Sequence, residues 1–137
     1  MVKEIDLPLV ENEKCQDLLR KTKLGNKFKL DDSFLCAGGV NGKDTCHGDG
    51  GSPLVCKSKS DPDTFIQSGI VSWGVGCGED GTPGVYASVA EAACWIDYVM
   101  SCQGEGSQEG FSSVLGYDSQ ECQAWVERTV KGLAEKK

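Results

Sequence analysis

A single histidine, no C-x-x-C pair and no long apolar run set the first limits on this chain of 137 residues. A membrane-crossing helix needs about 18–20 consecutive apolar residues, and no stretch comes near that. Structural zinc sites draw on close cysteine pairs and histidines, so neither a metal nor another cofactor is expected. Basic residues are outnumbered, 14 Lys and Arg against 21 Asp and Glu, for a net charge of −7. Nucleic acid and anionic membranes both reward clustered Lys and Arg, so neither is expected as a partner. The opening MVKEIDLPLV contains no long apolar segment and no small-residue cleavage site, and is no signal peptide. Internal repeats are absent.

What remains is a composition ordinary for a globular domain, 39% hydrophobic and 26% charged. The length suits one modest core. The strongest signal is cysteine, at positions 15, 36, 46, 56, 77, 94, 102 and 122. Eight cysteines without metal-type spacing imply a disulfide framework and an oxidising, extracellular compartment. With no leader in the opening segment, the expectation is a part of a longer secreted precursor.

Along the chain, Val2 to Leu7 alternates as a half-buried strand does, and Pro8 should stop it. Glu11 to Lys23 reads as a helix capped by Asn12, with Cys15, Leu18 and Leu19 on one face. Phe34 to Ala37, Pro53 to Lys57, Phe65 to Trp73 and Gly84 to Val89 are strand candidates between Gly-, Asp- and Ser-rich loops. Ala90 to Met100 reads as a helix. Residues 103–117 are rich in Gly, Ser, Glu and Gln and read as a linker. Asp118 and Glu121 form a capping-box pattern ahead of the apolar face of Cys122, Trp125, Val126, Val130 and Leu133, so 118–137 should form an amphipathic helix. Short strands with turn punctuation indicate an all-β barrel or sandwich with terminal helices.

One loop carries the chemistry. Residues 44–56 read DTCHGDGGSPLVC, with two aspartates, three glycines and two cysteines, and a short apolar run, Pro53-Leu54-Val55, ahead of the second cysteine. Downstream lie Ser72-Trp73-Gly74-Val75-Gly76-Cys77 and Thr82-Pro83-Gly84-Val85-Tyr86. In this order and at this spacing, the three motifs resemble the second half of a chymotrypsin-fold, trypsin-like serine protease. VKEIDLPLVENEKC resembles the strand and helix that precede the active loop. The resemblance covers about residues 2–100, leaving a domain over 1–102 and an unmatched tail. It implies the second six-stranded barrel of that fold, incomplete at about five strands, with C-terminal helices.

The resemblance also assigns roles. Asp44 lies where such enzymes hold the carboxylate at the base of a pocket for Arg or Lys, and Gly74 and Gly84 where glycines line its walls. Ser72 and Trp73 begin the segment that pairs with substrate backbone. Gly48 is an oxyanion-hole position. Asp49 corresponds to the aspartate that pairs with a newly cleaved N-terminal ammonium, and without that ammonium it should be a buried, uncompensated carboxylate. Cys15 should pair with Cys36, and Cys46 with Cys77. The resemblance puts the family partner of Cys56 on a strand upstream of Met1; if the four remaining thiols pair internally, Cys56 and Cys94 should pair with Cys102 and Cys122 in one of two ways. On one continuous helix Cys94 and Cys102 would stand roughly 12 Å apart, beyond the roughly 7 Å reach of a disulfide.

The departure is Gly50, where the family motif carries the nucleophilic serine. Glycine has no oxygen with which to form an acyl-enzyme. Ser52 lies two residues on, roughly 6–7 Å along an extended chain, too far to replace it when about 1 Å of misplacement costs about 100-fold. The family's base and orienting carboxylate belong to a first barrel upstream, and His47, inside the loop, reads as a surface residue. Loss of serine or base alone costs about 10⁶-fold in turnover. A P-loop-like stretch, Ala37 to Asp44, has the wrong first and last residues.

The Gly50 motif resembles the non-catalytic serine protease homologues of arthropods, of the clip-domain, prophenoloxidase-activating and masquerade-like group. That resemblance implies a secreted accessory or regulatory factor in a proteolytic cascade of innate immunity. Its partner would be a protein: a cascade protease, a zymogen or a prophenoloxidase-type target, alongside the missing first barrel. A working endopeptidase cleaving after Arg or Lys, and an adhesion module using the final helix, are the alternatives.

Overall fold

A computed structural model of the chain describes residues 4–103 together with positions 120, 122, 124 and 128. Two compact units divide at the start of the second helix, Met1–Val89 and Ala90–Lys137. The first is an open antiparallel sheet of five strands: β1 (Leu9–Val10), β2 (Phe34–Gly38), β3 (Pro53–Lys57), β4 (Phe65–Trp73) and β5 (Pro83–Ser88), in the order β1-β2-β5-β4-β3. Helix α1 (Asn12–Arg20) joins β1 to β2, and α2 (Val89–Gln103) follows β5.

The sheet forms around β5. Its Val85-Tyr86 run is almost wholly enclosed because β2 pairs along one side and β4 along the other. Such a two-sided position favours a continuous apolar segment over an alternating one. Pro83 is tolerated in this central strand because it is the first residue. Along the edge, β3 alternates exposed and half-buried residues, with Leu54 and Cys56 on the inner face.

Strand β1 lies C-terminal to the expected position. Pro8 begins the pairing instead of ending it: its carbonyl accepts the Gly38 N–H at 2.9 Å, and Leu9 and Val10 then face Ala37 and Cys36. Proline has no N–H to give a ladder but keeps its carbonyl, so a strand can start beside it. Helix α1 is likewise shorter than its apolar pattern. Thr22 Oγ1 donates to the Leu19 carbonyl at 2.6 Å and the chain leaves the helix at Lys21. Asn12 is not the cap. It is the first helical residue, and its Nδ2 donates to the Phe34 carbonyl at 2.8 Å, tying α1 to β2.

Cys15 and Leu19 of α1, Cys36 of β2 and Val85 of β5 form the enclosed core of this unit. Phe28, Phe34 and Trp73 pack around it, with both phenylalanine rings edge-on to the indole at 5.9 and 6.1 Å. Edge-to-face pairs of this kind add about 0.5–1.5 kcal/mol each beyond burial. The loop after α1 is laced to the helix by Leu30 N–H donating to Gln16 Oε1 and by Arg20 Nε donating to the Phe28 carbonyl.

Three disulfides occur among the described residues: Cys15–Cys36, Cys46–Cys77 and Cys94–Cys122. The condition of internal pairing is not met at Cys56, which forms no disulfide. Cys122 is taken by Cys94 within the second unit, and Cys56 keeps a free, half-buried thiol on β3. The side chain of Cys102 lies outside the described residues, as do the linker 103–117 beyond the end of α2 and most of the expected helix 118–137. No described helix is long and apolar enough to cross a membrane.

Candidate functional site

Three segments of the first unit meet at a cavity of about 340 Å³: the loop from Asp44 to Gly50, the end of β4 with Gly74 to Cys77, and Gly84 of β5. Of the residues given roles in the sequence, Asp44, Gly48, Gly50, Ser72, Trp73, Gly74 and Gly84 line it, and Asp49 does not. The Cys46–Cys77 disulfide closes the two loops on each other. Ser72 reaches the cavity through a bulge: Val71 pairs with Tyr86 and Trp73 with Val85, so Ser72 has no opposite residue in the β4–β5 ladder. Bulges of this kind turn a side chain out of the ladder beside functional sites.

Asp44 is half-buried, and its carboxylate holds both loops. Oδ1 accepts the Thr45 N–H at 2.8 Å and Oδ2 accepts the Gly78 N–H at 3.0 Å, across 34 residues of sequence. The two bonds hold the carboxylate in one orientation between the loops. Gly84 makes the space. A β-carbon there would stand 3.0 Å from Asp44 Oδ1 and 3.3 Å from the Tyr86 ring. Tyr86 supports the cavity from behind. Its hydroxyl shares a hydrogen bond with Thr45 Oγ1 at 3.2 Å, and the side chain is 1% exposed. Burial raises the phenol above its ordinary pKa, and the charges of Asp44 and Asp49 raise it further, against the lowering effect of the Thr45 bond.

Around Gly50 the loop exposes backbone. The Asp49 N–H donates to the Cys46 carbonyl at 3.0 Å and the Gly51 N–H to the Val71 carbonyl at 2.9 Å. Those of Gly48 and Gly50 have no partner among the described residues, and both glycines line the cavity whereas Asp49 does not. Gly48 holds φ at +96°, a conformation that favours glycine. Gly50 does not, and a β-carbon on it would meet nothing within 4 Å.

Asp49 is the correction. Its carboxylate is exposed, not buried: Oδ2 turns back to accept the Cys46 N–H at 2.8 Å, closing its own turn in contact with water. No ammonium is then required to offset desolvation. His47 is exposed and also lines the cavity. Ser52 lies beyond the loop, its N–H donated to the Asp49 carbonyl at 3.0 Å and its carbonyl accepting the Val71 N–H at 2.9 Å. The sequence reading missed Tyr86 and Gly78 as supports of Asp44. The signal for Gly78 was available in the Gly-rich GCGEDGT stretch around Cys77. Among the described residues no cluster of His, Cys, Asp and Glu is arranged to hold a metal.

The trypsin family model matches residues 1–96. Phenoloxidase-activating factor 2 of Galleria mellonella is 53% identical over 104 residues, 76% of this chain and 34% of that protein. Inactive CLIP domain-containing serine protease A8 of Anopheles gambiae is 43% identical over 97 residues, 71% of this chain and 26% of the relative. Inactive CLIP domain-containing serine protease A3 of Aedes aegypti is 48% identical over 100 residues, 72% of this chain and 21% of its own length. The chain thus spans about a third or less of these relatives.

Proposed function

The chain belongs to the trypsin family, and from that membership we propose that it is a non-catalytic serine protease homologue, an accessory or regulatory factor in an extracellular proteolytic cascade. The observation that carries this reading is Gly50. It occupies the nucleophile's place in the family motif and leaves only a hydrogen where an attacking oxygen is needed. Ser52 offers no substitute, because both its backbone groups are fixed beyond the loop by Asp49 and Val71. Three disulfides among the described residues support secretion. The names of the similar arthropod proteins, a phenoloxidase-activating factor and inactive clip-domain proteases, support the cascade setting. The partner is a protein of that cascade, a protease, zymogen or prophenoloxidase-type target. It is recognised through the cavity at Asp44, which survives the loss of the nucleophile.

The test is hydrolysis of Arg and Lys esters and amides by the purified chain and its Gly50→Ser variant. Both should remain at buffer background, the variant because His47, the one histidine of the sequence, has no carboxylate partner among the described residues. Turnover that disappears in Ser52→Ala would overturn the reading.

A further inference from the structure

We propose that Asn41 is a modification site: the Gly42 backbone nitrogen displaces its side-chain amide, and a hydrogen bond from Gly42 to Gly78 governs when it does so. The inference stands apart from the non-catalytic reading and from whatever the cavity binds. Asparagine is chemically labile, and the chain holds three, Asn12, Asn26 and Asn41. Only Asn41 precedes a glycine; Asn12 is followed by Glu13 and Asn26 by Lys27, whose side chains hinder the approach of the next nitrogen. Asn41 and Gly42 are both exposed, on a turn closed by the Lys43 N–H donating to the Val40 carbonyl at 3.0 Å. A β-carbon on Gly42 would meet nothing within 4 Å, so no neighbour crowds the site.

The step needs no partner but water. The Gly42 nitrogen bonds to Asn41 Cγ, the Cγ–Nδ2 bond breaks, and ammonia leaves with the proton that the nitrogen carried. Water then opens the five-membered imide at either carbonyl. One opening leaves aspartate; the other leaves isoaspartate, with the main chain running through the side-chain carbon. In the folded loop that nitrogen is engaged, because the Gly42 N–H donates to the Gly78 carbonyl at 2.9 Å. The imide has no hydrogen on this nitrogen, so the ring and the bond to Gly78 exclude each other. Gly78 is anchored from its other side too, its N–H donated to Asp44 Oδ2 at 3.0 Å, next to the Cys46–Cys77 disulfide. The Gly81 N–H, donated to the Gly39 carbonyl at 3.0 Å, joins the same two loops. They meet backbone to backbone: a β-carbon on Gly78 would stand 3.4 Å from Gly42 Cα. Conversion of Asn41 therefore waits on separation of residues 39–44 from 77–81. It is also irreversible in effect. A new carboxylate is left close before Asp44, and the isoaspartate form lengthens the loop by one main-chain atom, so the original contact with Gly78 is not restored.

The experiment incubates the full chain in neutral buffer and follows the peptide that carries Asn41 by mass spectrometry, where conversion adds one mass unit. Enzymatic methylation of isoaspartate is the second readout. Conversion in the folded chain should be at least about tenfold slower than in the same chain reduced and unfolded in urea, because opening breaks the Gly42 and Asp44 bonds to Gly78 together. Cys46→Ser with Cys77→Ser removes a tether of the same loops and should bring the rate toward the unfolded value while Glu13 in α1 stays uncut by a Glu-specific protease. If that variant does not fold, the comparison of folded with unfolded wild type still decides. Asn26, on an exposed turn without a following glycine, is the internal control and should stay unconverted over the same period. Equal rates in folded and unfolded chain, an unchanged rate in the folded disulfide variant, or conversion of Asn26 ahead of Asn41 overturns the inference. None of these outcomes touches the non-catalytic reading, which fails only if substrate is hydrolysed.

Discussion

A β-carbon on Gly84 would stand 3.0 Å from the Oδ1 oxygen of Asp44. The central strand thus leaves out a side chain at the point where the carboxylate passes it. Gly84→Ala should push Asp44 from its bonds to Thr45 and Gly78 and lower stability by about 1–3 kcal/mol, as overpacking does. Gly74→Ala is the control, because its β-carbon would meet neighbours only at 3.8 and 4.0 Å; its cost should stay within about 0.5 kcal/mol. Urea denaturation of the two variants side by side measures the difference, and equal costs would mean that the Asp44 loop yields freely.

Tyr86 gives the fold a dependence on alkaline pH. Its phenol is raised above the ordinary value by burial first, with Asp44 and Asp49 adding to the shift. A raised folded-state pKa means that the stabilisation is complete below the unfolded value, about 10, and is lost as pH rises through the folded value. Wild type should therefore lose more stability than Tyr86→Phe between about pH 8 and about pH 10.5. At pH 8 the variant should be less stable by about 0.5–1.5 kcal/mol for the missing bond to Thr45. Parallel pH slopes would show that Tyr86 ionises without disturbing the fold.

The two glycines beside the open amides differ in what they tolerate. Gly50→Ala adds a carbon to empty space at an ordinary φ and should be neutral or stabilising by about 0.4–1 kcal/mol, through the unfolded chain. Gly48→Ala must hold alanine at φ +96° and should cost about 1–3 kcal/mol. Thermal unfolding distinguishes them. A destabilised Gly50→Ala would mean that glycine is required there by backbone geometry.

The residues that line the cavity were legible in the sequence because each belongs to a short motif of fixed type and spacing. Strands β3 and β4 were legible to the residue, since loops of Gly, Asp and Ser bound them on both sides. Other features are set by distant partners and leave little local trace. Pro8 looks like a terminator until the Gly38 N–H is known to seek its carbonyl. Asn12 looks like a cap until the Phe34 carbonyl is found above it. Asp49 looks buried by family resemblance, but its own turn offers the Cys46 N–H at no desolvation cost. Nothing in the sequence marks Cys94, and not Cys56, as the partner of Cys122.

Removing a disulfide should have different consequences in the cavity and in the core. Cys46–Cys77 closes a loop of 31 residues, which constrains the unfolded chain by about 3–4 kcal/mol on the entropic view. Its cysteines are exposed, so Cys46→Ser with Cys77→Ser removes the crosslink and little packing. Cys15–Cys36 closes 21 residues, but both cysteines are 0% exposed in the core. Replacing that pair with alanines adds the cost of a cavity to the cost of the lost link. The core pair should therefore be the more damaging, despite its shorter loop. Limited digestion with a Glu-specific protease locates each effect. The cavity pair should speed cutting at the already exposed Glu79, beside the released Gly78, while leaving Glu13 uncut within helix α1; the core pair should lead to cutting at Glu13. Cutting at Glu13 in both variants would mean that the unit opens as a whole and that the Cys46–Cys77 bond supports the sheet and not only the cavity.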